Sequence, residues 1–263
     1  MSFNKRISKF LSAMTLGFCS IVNFDSFTYG MEYDKTGNKF KCNNFFDLYS
    51  SSTRIGGGSS AYVYKTKFKN DEEVAVKVFN FGNDEPFKNE KNIVEKICKY
   101  INTNKLNENL MKVLEITEVI DKTGSKRNAI VLEYIEGTTL SKWWKNGNKF
   151  LDVDSLIDSF YIPVISAFMD YQRITGQPLP DVRPMNIIIK SNNNSSKIEP
   201  VLIDYGPGDK SSSYSKLRET FRECCKYVEN ESEKLTKLSK LFDQEISSIE
   251  DIKQKILEIG NIK

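Results

Sequence analysis

The chain of 263 residues contains no histidine at all. This absence excludes Ser-His-Asp and Cys-His nucleophilic catalysis, and it excludes every metal site that needs an imidazole ligand. Any chemistry that the chain performs must therefore proceed without an imidazole base, nucleophile or metal ligand.

Cysteine is scarce, and its spacing forms no metal-binding pattern. No C-x-x-C pair occurs, so a structural zinc site is not expected. A disulfide between the neighbours Cys224 and Cys225 would strain the backbone. A bond from Cys42 to one of this pair is the alternative, but buried free thiols are the favoured interpretation. The five cysteines are Cys19, Cys42, Cys98, Cys224 and Cys225.

Neither sign of charge is in clear excess. The 38 basic and 35 acidic side chains leave a net charge of +3. A surface that binds nucleic acid or an anionic membrane needs a strong basic excess, so neither partner is expected. The hydrophobic fraction of 39% is sufficient for a real core.

Long apolar runs are also missing, except near the N-terminus. Lys5, Arg6 and Lys9 precede a mostly apolar run of 13 residues, 10–22, which is too short to be a stable membrane span. Small residues, Thr28 and Gly30, allow cleavage after Gly30. The pattern predicts a secretory signal peptide over residues 1–30, with an amphipathic or buried N-terminal helix as the alternative. Residues 31–50 are predicted to be a linker.

The periodicity changes from strand-like to helix-like along the chain. Alternating β-branched and aromatic runs predict strands in 53–80, 111–119 and 129–134, with a helix over 86–101 between them. After Gly137 the pattern predicts helices at 139–146 and 153–175 and a hairpin from 186–190 and 200–204. Two or three amphipathic helices follow over 213–262. Strands before helices predict an α+β fold.

Four short motifs occur in a fixed order. They are I-G-G-G-S-S-A-Y-V-Y-K from Ile55, V-A-V-K ending at Lys77, D-V-R-P-M-N from Asp181, and I-D-Y-G around Asp204. Lys77 and Asp181 are 104 residues apart, and Asp181 and Asp204 are 23 apart. Each motif alone fits an ordinary turn or strand. Together, over about residues 50–210, they resemble the protein-kinase superfamily.

This resemblance implies a two-lobed fold and a nucleotide site. The β-rich N-lobe would cover residues 51–135 and a truncated α-helical C-lobe residues 136–263. Gly56 and Gly58 would let backbone amides approach the triphosphate of ATP, and Ala61 replaces the third glycine of the family pattern. The residues expected to bind the nucleotide are Ile55, Gly56, Gly57, Gly58, Ser59, Ser60, Val63, Ala75, Lys77, Glu90, Leu132, Glu133 and Ile135.

Among the residues expected to bind the nucleotide, Lys77 is the one that its own neighbourhood in the sequence indicates most clearly. A lysine in an apolar strand needs a partner, because burial of an unpaired ammonium is costly. By resemblance, Lys77 pairs with the α/β-phosphates and with a helix glutamate, for which Glu90 is the first choice and Glu95 and Glu85 are fallbacks. The segment Leu132 to Gly137 resembles the connection between the lobes, which holds the adenine edge.

The third and fourth motifs supply the expected reaction chemistry. Asp181 would accept the proton of the attacking hydroxyl, and Arg183 would neutralise charge on the γ-phosphate. Asn186 and Asp204 would hold Mg²⁺. The chain departs from the family at Leu179 and Pro180, where a histidine and an arginine are usual. The missing arginine removes the usual acceptor for a phosphorylated activation loop.

Only 57 residues follow Gly206, and no Ala-Pro-Glu signature occurs among them. A full activation segment is therefore not expected, which implies constitutive activity or control by an activating partner. This plan resembles the secreted effector kinases of bacteria and, more distantly, the small RIO-type kinases. The signal peptide predicted over residues 1–30 favours the resemblance to the secreted effector kinases.

The function expected from the resemblance is that of a secreted protein kinase that uses ATP and Mg²⁺. It would transfer the γ-phosphate to a Ser or Thr hydroxyl of a protein substrate, for which a host protein is one option. Two alternatives remain open: a kinase-fold enzyme that phosphorylates a small molecule, and a pseudokinase that only binds.

Overall fold

The computed structural model describes residues 52–68, 71–80, 82, 84–121, 124–179, 181–191, 198–206, 210–244 and 248–261. The predicted leader and linker therefore lie outside the described residues. The first part of the fold is an antiparallel sheet in the order β1-β2-β3-β5-β4. Its strands are β1 (Thr53–Gly57), β2 (Ala61–Lys67), β3 (Glu73–Phe79), β4 (Val113–Ile120) and β5 (Lys126–Glu133).

Strand β3 is central in the sheet, and its alternation determines which side chains face the site. Val74, Val76 and Val78 point to one face and form a small core with residues of β4 and β5. Side chains of a strand alternate between faces, so Lys77 lies on the opposite face with Ala75 and Phe79. The side chain of Lys77, the one lysine of β3, therefore points away from the small valine core and toward the face on which the rest of the protein packs.

Helix α1 (Asp84–Ile101) packs on that second face. It begins two residues before the predicted start, and acidic residues in its first turn favour the helix N-terminus. Phe87, Val94 and Ile97 are buried as predicted, and Ile93 is fully part of the buried face rather than at its margin. Glu90 lies on the same face and is buried.

A second, three-stranded sheet joins β6 (Gly137–Thr139), β7 (Ile187–Lys190) and β8 (Pro200–Leu202) in that order. It is linked to the segment that precedes β4. The Leu202 amide donates to the Asn109 carbonyl at 2.8 Å, and the Met111 amide donates to the Leu202 carbonyl at 3.1 Å. These bonds fix the end of β8, and the residues that follow it, against the first sheet.

The long helical stretch predicted at 153–175 is interrupted. It consists of α3 (Val153–Leu156), a π-helical turn (Ile157–Tyr161) and α4 (Ile162–Thr175). Pro163 near the start of α4 has no N–H to continue the α-helical bonding, and a wider turn is the local solution. The short helix α2 (Leu140–Lys145), capped by the Thr139 side chain, precedes this stretch.

Three further α-helices follow within the described residues: α5 (Lys210–Cys224), α6 (Glu233–Leu241) and α7 (Ile249–Gly260). The last two start at Ser232 and Ser248, whose side chains accept amide hydrogens of the first turn. The α+β class, with strands first and helices later, is therefore confirmed. The described thiols Cys98, Cys224 and Cys225 are free. Among the described helices, none has the length and apolarity that a bilayer crossing needs.

Gly137 has the least space for a side chain among the described glycines, and the effect of replacing it is our first prediction. A Cβ at this position would overlap the Ile189 carbonyl oxygen and lie 2.8 Å from Ile188 Cγ2. We expect Gly137→Ala to lower the free energy of unfolding by about 1–3 kcal/mol, measured by urea denaturation, because β6 must move off β7.

Gly260→Ala is the matched control for this substitution. A Cβ there would make only ordinary contacts, at 3.7 Å or more, near the end of α7. We expect no loss of stability in this variant. Equal stability of the two variants would show that the close approach of β6 to β7 is not required.

Candidate functional site

The glycine-rich turn between β1 and β2 is held by the residue that follows β3. The Gly58 amide donates to the Ala61 carbonyl at 2.9 Å, which closes the turn. The Asn80 side chain donates to the Ser59 carbonyl at 2.7 Å, and the Asn80 amide donates to the Ser60 carbonyl at 2.9 Å. Asn80 was not predicted as a site residue, because no local pattern distinguishes it from an ordinary strand-ending asparagine.

The three glycines of this turn differ in what surrounds them. A Cβ at Gly57 would lie 2.7 Å from the Tyr62 ring and 2.9 Å from the Arg54 guanidinium, which itself stacks on that ring. Gly58 faces open space, and Gly56 has room for an ordinary contact. A side chain at Gly57 would therefore displace the Arg54 and Tyr62 side chains. At Gly56 and Gly58 the space that a Cβ would occupy is open, which leaves room for the close phosphate approach that the sequence predicts, while the Gly58 amide itself is bonded to Ala61.

The predicted nucleotide-contacting side chains share one face of the sheet. Val63 lies opposite Lys77 on the neighbouring strand, and Ala75 lies opposite Leu132. Directly opposed residues of antiparallel strands point to the same side. The structure therefore brings Val63, Ala75, Lys77 and Leu132 together, while Ile55 remains exposed at the edge of β1. At the end of β5, the Glu133 amide donates to the Lys112 carbonyl at 3.1 Å, and Ile135 is buried just beyond it.

Lys77 joins three distant parts of the chain. Its ammonium donates to both oxygens of Glu90, at 2.8 and 2.7 Å, and to Asp204 Oδ1 at 2.7 Å. Of the three candidate partners on α1, Glu90 makes this contact. Glu95 pairs instead with Lys91 at 3.7 Å, and Glu85 is exposed.

Burial and charge oppose each other in this cluster. Burial disfavours the Lys77 ammonium, but the Glu90 and Asp204 carboxylates outweigh it and raise the pKa of Lys77. Burial raises the pKa of Glu90 despite the neighbouring ammonium. Burial also acts against ionised Asp204, yet Lys77 and the Gly206 amide hold the pKa of Asp204 below its ordinary value. A cationic lysine and an ionised Asp204 therefore face the same site.

The backbone at Asp204 is held in an unusual conformation. Its φ angle is +73°, in the left-handed region that residues with a Cβ seldom adopt. The next residue, Tyr205, is buried and donates from its hydroxyl to the Met111 carbonyl. The Tyr205 ring stacks on Tyr171 of α4, with ring centroids 5.6 Å apart. These contacts fix the strained turn, so the Asp204 carboxylate points at Lys77.

The predicted catalytic loop is ordered by its own side chains. The Asn186 side-chain amide donates to the Asp181 carbonyl at 3.1 Å, and the Asn186 backbone amide donates to the Arg183 carbonyl at 2.8 Å. The Ile203 amide donates to the Asn186 carbonyl at 2.9 Å, which places this loop beside the strand end that carries Asp204. Leu179, where the family usually has histidine, is buried, and Pro180 lies outside the described residues.

Asp181 is surrounded by two cations. Arg183 Nε lies 2.7 and 3.0 Å from the two carboxylate oxygens, and Arg183 Nη2 lies 2.5 Å from Oδ2. This hydrogen-bonded pair raises the pKa of Arg183. Lys216 of α5 approaches the other oxygen of Asp181, with Nζ 3.6 Å from Oδ1. Lys216 was not predicted, because it lies on a helix without a recognisable motif.

Asn186 and Asp204 fit a magnesium site by the chemistry of their donors. Mg²⁺ prefers oxygen ligands and is usually held by one or two protein groups together with substrate phosphates. Because the nitrogen of the Asn186 side chain already donates within the loop, its amide oxygen is the atom left for a cation. Asp204 supplies an ionised carboxylate. The ion would supply neutralisation of the phosphate charge.

Comparison with protein families agrees with this geometry. The family model described as the protein kinase domain matches residues 49–244, which is most of the chain. The chain therefore belongs to the protein kinase domain family, whose members are phosphotransferases. No curated protein matches the chain at a significant level.

Lys77 is the residue on which we base a stability prediction. Lys77→Met would leave the carboxylates of Glu90 and Asp204 facing each other without a cation. Removing one partner of a buried ion pair costs about 3–5 kcal/mol, so we expect a loss of that order in the free energy of unfolding at pH 7. Chemical denaturation measures it.

The pH dependence of this loss has a definite sign. In the wild type, the lowered pKa of Asp204 adds stability above pH 3.8, its ordinary value, and that stability is lost as the pH falls through the lowered value. Glu90 acts oppositely, because its pKa is raised from 4.5. Without Lys77 both carboxyls bind protons more readily, so the deficit of Lys77→Met should be smaller at pH 5 than at pH 7.

Lys126→Met is the control, because Lys126 forms an exposed pair with Glu118 at 3.5 Å. Such surface pairs contribute about 0–1 kcal/mol. A deficit of Lys77→Met that equals that of the control, or that does not change with pH, would contradict the buried cluster as described.

Proposed function

We propose that this protein is an ATP- and magnesium-dependent protein kinase that phosphorylates Ser or Thr hydroxyls. The observation that carries the proposal is the contact of Lys77 with both Glu90 and Asp204 at 2.7 Å. This contact sets the nucleotide-binding lysine of the family model beside the carboxylate that would face the phosphates. The joint retention of Lys77, Asp181, Asn186 and Asp204, which are expected to meet phosphate, metal and the acceptor hydroxyl, argues against the pseudokinase alternative.

The described side chains divide the reaction between them. The Lys77 ammonium would bind the α/β-phosphates of ATP, and the open backbone at Gly56 and Gly58 would approach the phosphate oxygens. Asp181 would orient the acceptor hydroxyl and take its proton as the new O–P bond forms and the bond to the β–γ bridging oxygen breaks, releasing ADP. Arg183 would neutralise charge that develops on the γ-phosphate. Asn186 and Asp204 would hold Mg²⁺.

The segment that follows Asp204, on the side of the site where the acceptor would bind, is short. Helix α5 begins at Lys210, soon after Asp204, so little chain is available for the segment on which most kinases dock peptides. This favours control by an activating partner, or constitutive activity, over phosphorylation of an activation loop. It also supports a second candidate, transfer to a small-molecule hydroxyl, which needs no peptide-docking segment.

Radiolabel transfer tests the proposal directly. The full chain is incubated with γ-labelled ATP, Mg²⁺ and a mixture of generic protein acceptors, and labelled residues are identified by phosphoamino-acid analysis. Label on Ser or Thr that depends on Asp181 and Mg²⁺ is the expected result. Magnesium-dependent ATP binding without protein labelling would favour the small-molecule candidate or a missing activator. No ATP binding would reject both.

Three substitutions should each abolish transfer while the protein still folds. Lys77→Ala, Asp181→Ala and Asp204→Ala each remove a charge that positions or stabilises the transferring group. Loss of such a group costs about a hundredfold or more in kcat. Steady-state kinetics measures this, with Lys126→Ala on the exposed face of β5 as the control. Wild-type kcat in any of the three would contradict the assigned roles.

We further propose that residues 1–30 direct export, which would place the kinase outside its producing cell, as an effector that acts in a host. The basic residues before 10–22 and the small residues Thr28 and Gly30 support this. N-terminal sequencing of the protein recovered from the culture medium should begin at Met31. Recovery only inside cells, with Met1 intact, would contradict export.

A further inference from the structure

Helix α5 is fastened to the catalytic loop. The Thr220 hydroxyl donates to the Val182 carbonyl at 2.7 Å, and both residues are buried. Leu217, on the same side of the helix, is fully buried. The part of the chain that follows Asp204 therefore packs directly behind Asp181 rather than leaving the site.

Lys216 lies one helical turn before Thr220, so the two side chains share a face. This spacing directs the Lys216 ammonium at Asp181, where it lies 3.6 Å from Oδ1. The Asp181 side chain is only 18% exposed and that of Lys216 33% exposed, so the pair is shielded more than an ordinary surface contact.

Arg183 is paired with Asp181 in this structure, whereas the resemblance assigns its charge to the γ-phosphate. In the structure its guanidinium is engaged with both oxygens of Asp181. Turning this guanidinium to the γ-phosphate would remove the hydrogen bonds that hold the Asp181 carboxylate. A misplaced carboxylate lowers the rate steeply, because proton transfer needs hydrogen-bond geometry.

We propose that Lys216 is a positioning residue for phosphoryl transfer, which holds the Asp181 carboxylate at the acceptor hydroxyl while Arg183 turns to the γ-phosphate. The inference rests on the proposed transferase function. It gives helix α5 a role at the acceptor side of the site: the helix supplies a second cation to the Asp181 carboxylate, anchored through Thr220.

Kinetics of Lys216 variants of the full chain test this role. We expect Lys216→Gln to lower kcat about tenfold to a hundredfold, with the KM for ATP changed less than about twofold, because Lys216 touches Asp181 and not the nucleotide. Lys216→Arg should restore most of the rate, because a cation is retained. The thermal midpoint should stay unchanged in both variants.

Lys226 provides the matched control, since it is an ion-paired lysine just beyond α5 that lies far more exposed, at 65%. Lys226→Gln should leave kcat at the wild-type value. Wild-type kcat in Lys216→Gln would overturn the proposal. So would a rate loss that Lys216→Arg fails to restore, or one that follows a fall in the thermal midpoint.

A second measurement needs no turnover and separates this inference from the proposed function. Lysine acylation, read by mass spectrometry, should label Lys216 slowly in the wild type and faster in Asp181→Asn, with Lys226 unaffected by that change. Labelling of Lys216 that ignores Asp181 would overturn the inference. A wild type that transfers no phosphate would instead reject the transferase proposal, and with it the kinetic role of Lys216.

Discussion

The contact of one buried ammonium with two carboxylates is the constraint on which the rest of this structure depends. Lys77 comes from the middle of β3, Glu90 from α1 and Asp204 from the turn after β8. A charge left alone in this environment would be costly, so each of the three groups stabilises the others there. The cluster therefore determines which face of β3 points to the interior, how α1 is rotated about its own axis, and where the second sheet lies.

Of these three groups, Lys77 had a local signal, because a lysine in an apolar strand needs a partner. Glu90 and Asp204 were recognised through the family resemblance, and the structure places Glu90 on the buried face of α1. The glycine-rich turn and the pair Asp181 and Asn186 were recognised through family motifs. Their spacing along the chain was informative because the order of elements is fixed by the fold.

The residues that sequence could not reveal act over long distances. Thr220 bonds to a carbonyl 38 positions away, and Asn80 reaches back to the glycine-rich turn. Nothing near either residue in the sequence specifies its partner, since a serine, threonine or asparagine at such positions usually bonds locally or to water. The π-helical turn before α4 was missed for a different reason, because the period of the helix continues on both sides of Pro163.

The same electrostatic arrangement occurs at the nucleotide side and at the acceptor side of the site. Lys77 is engaged by Asp204, and Arg183 by Asp181, so each cation that would meet phosphate is already paired with a carboxylate of the site. Binding of a polyanion is then an exchange of partners rather than the filling of an unbalanced positive pocket. Each exchange also frees the carboxylate with which the cation was paired, that of Asp204 or of Asp181. Glu90 keeps Lys77 in place during the first exchange, and the role proposed for Lys216 is the corresponding one at Asp181, whose Oδ1 lies 3.6 Å from the Lys216 ammonium.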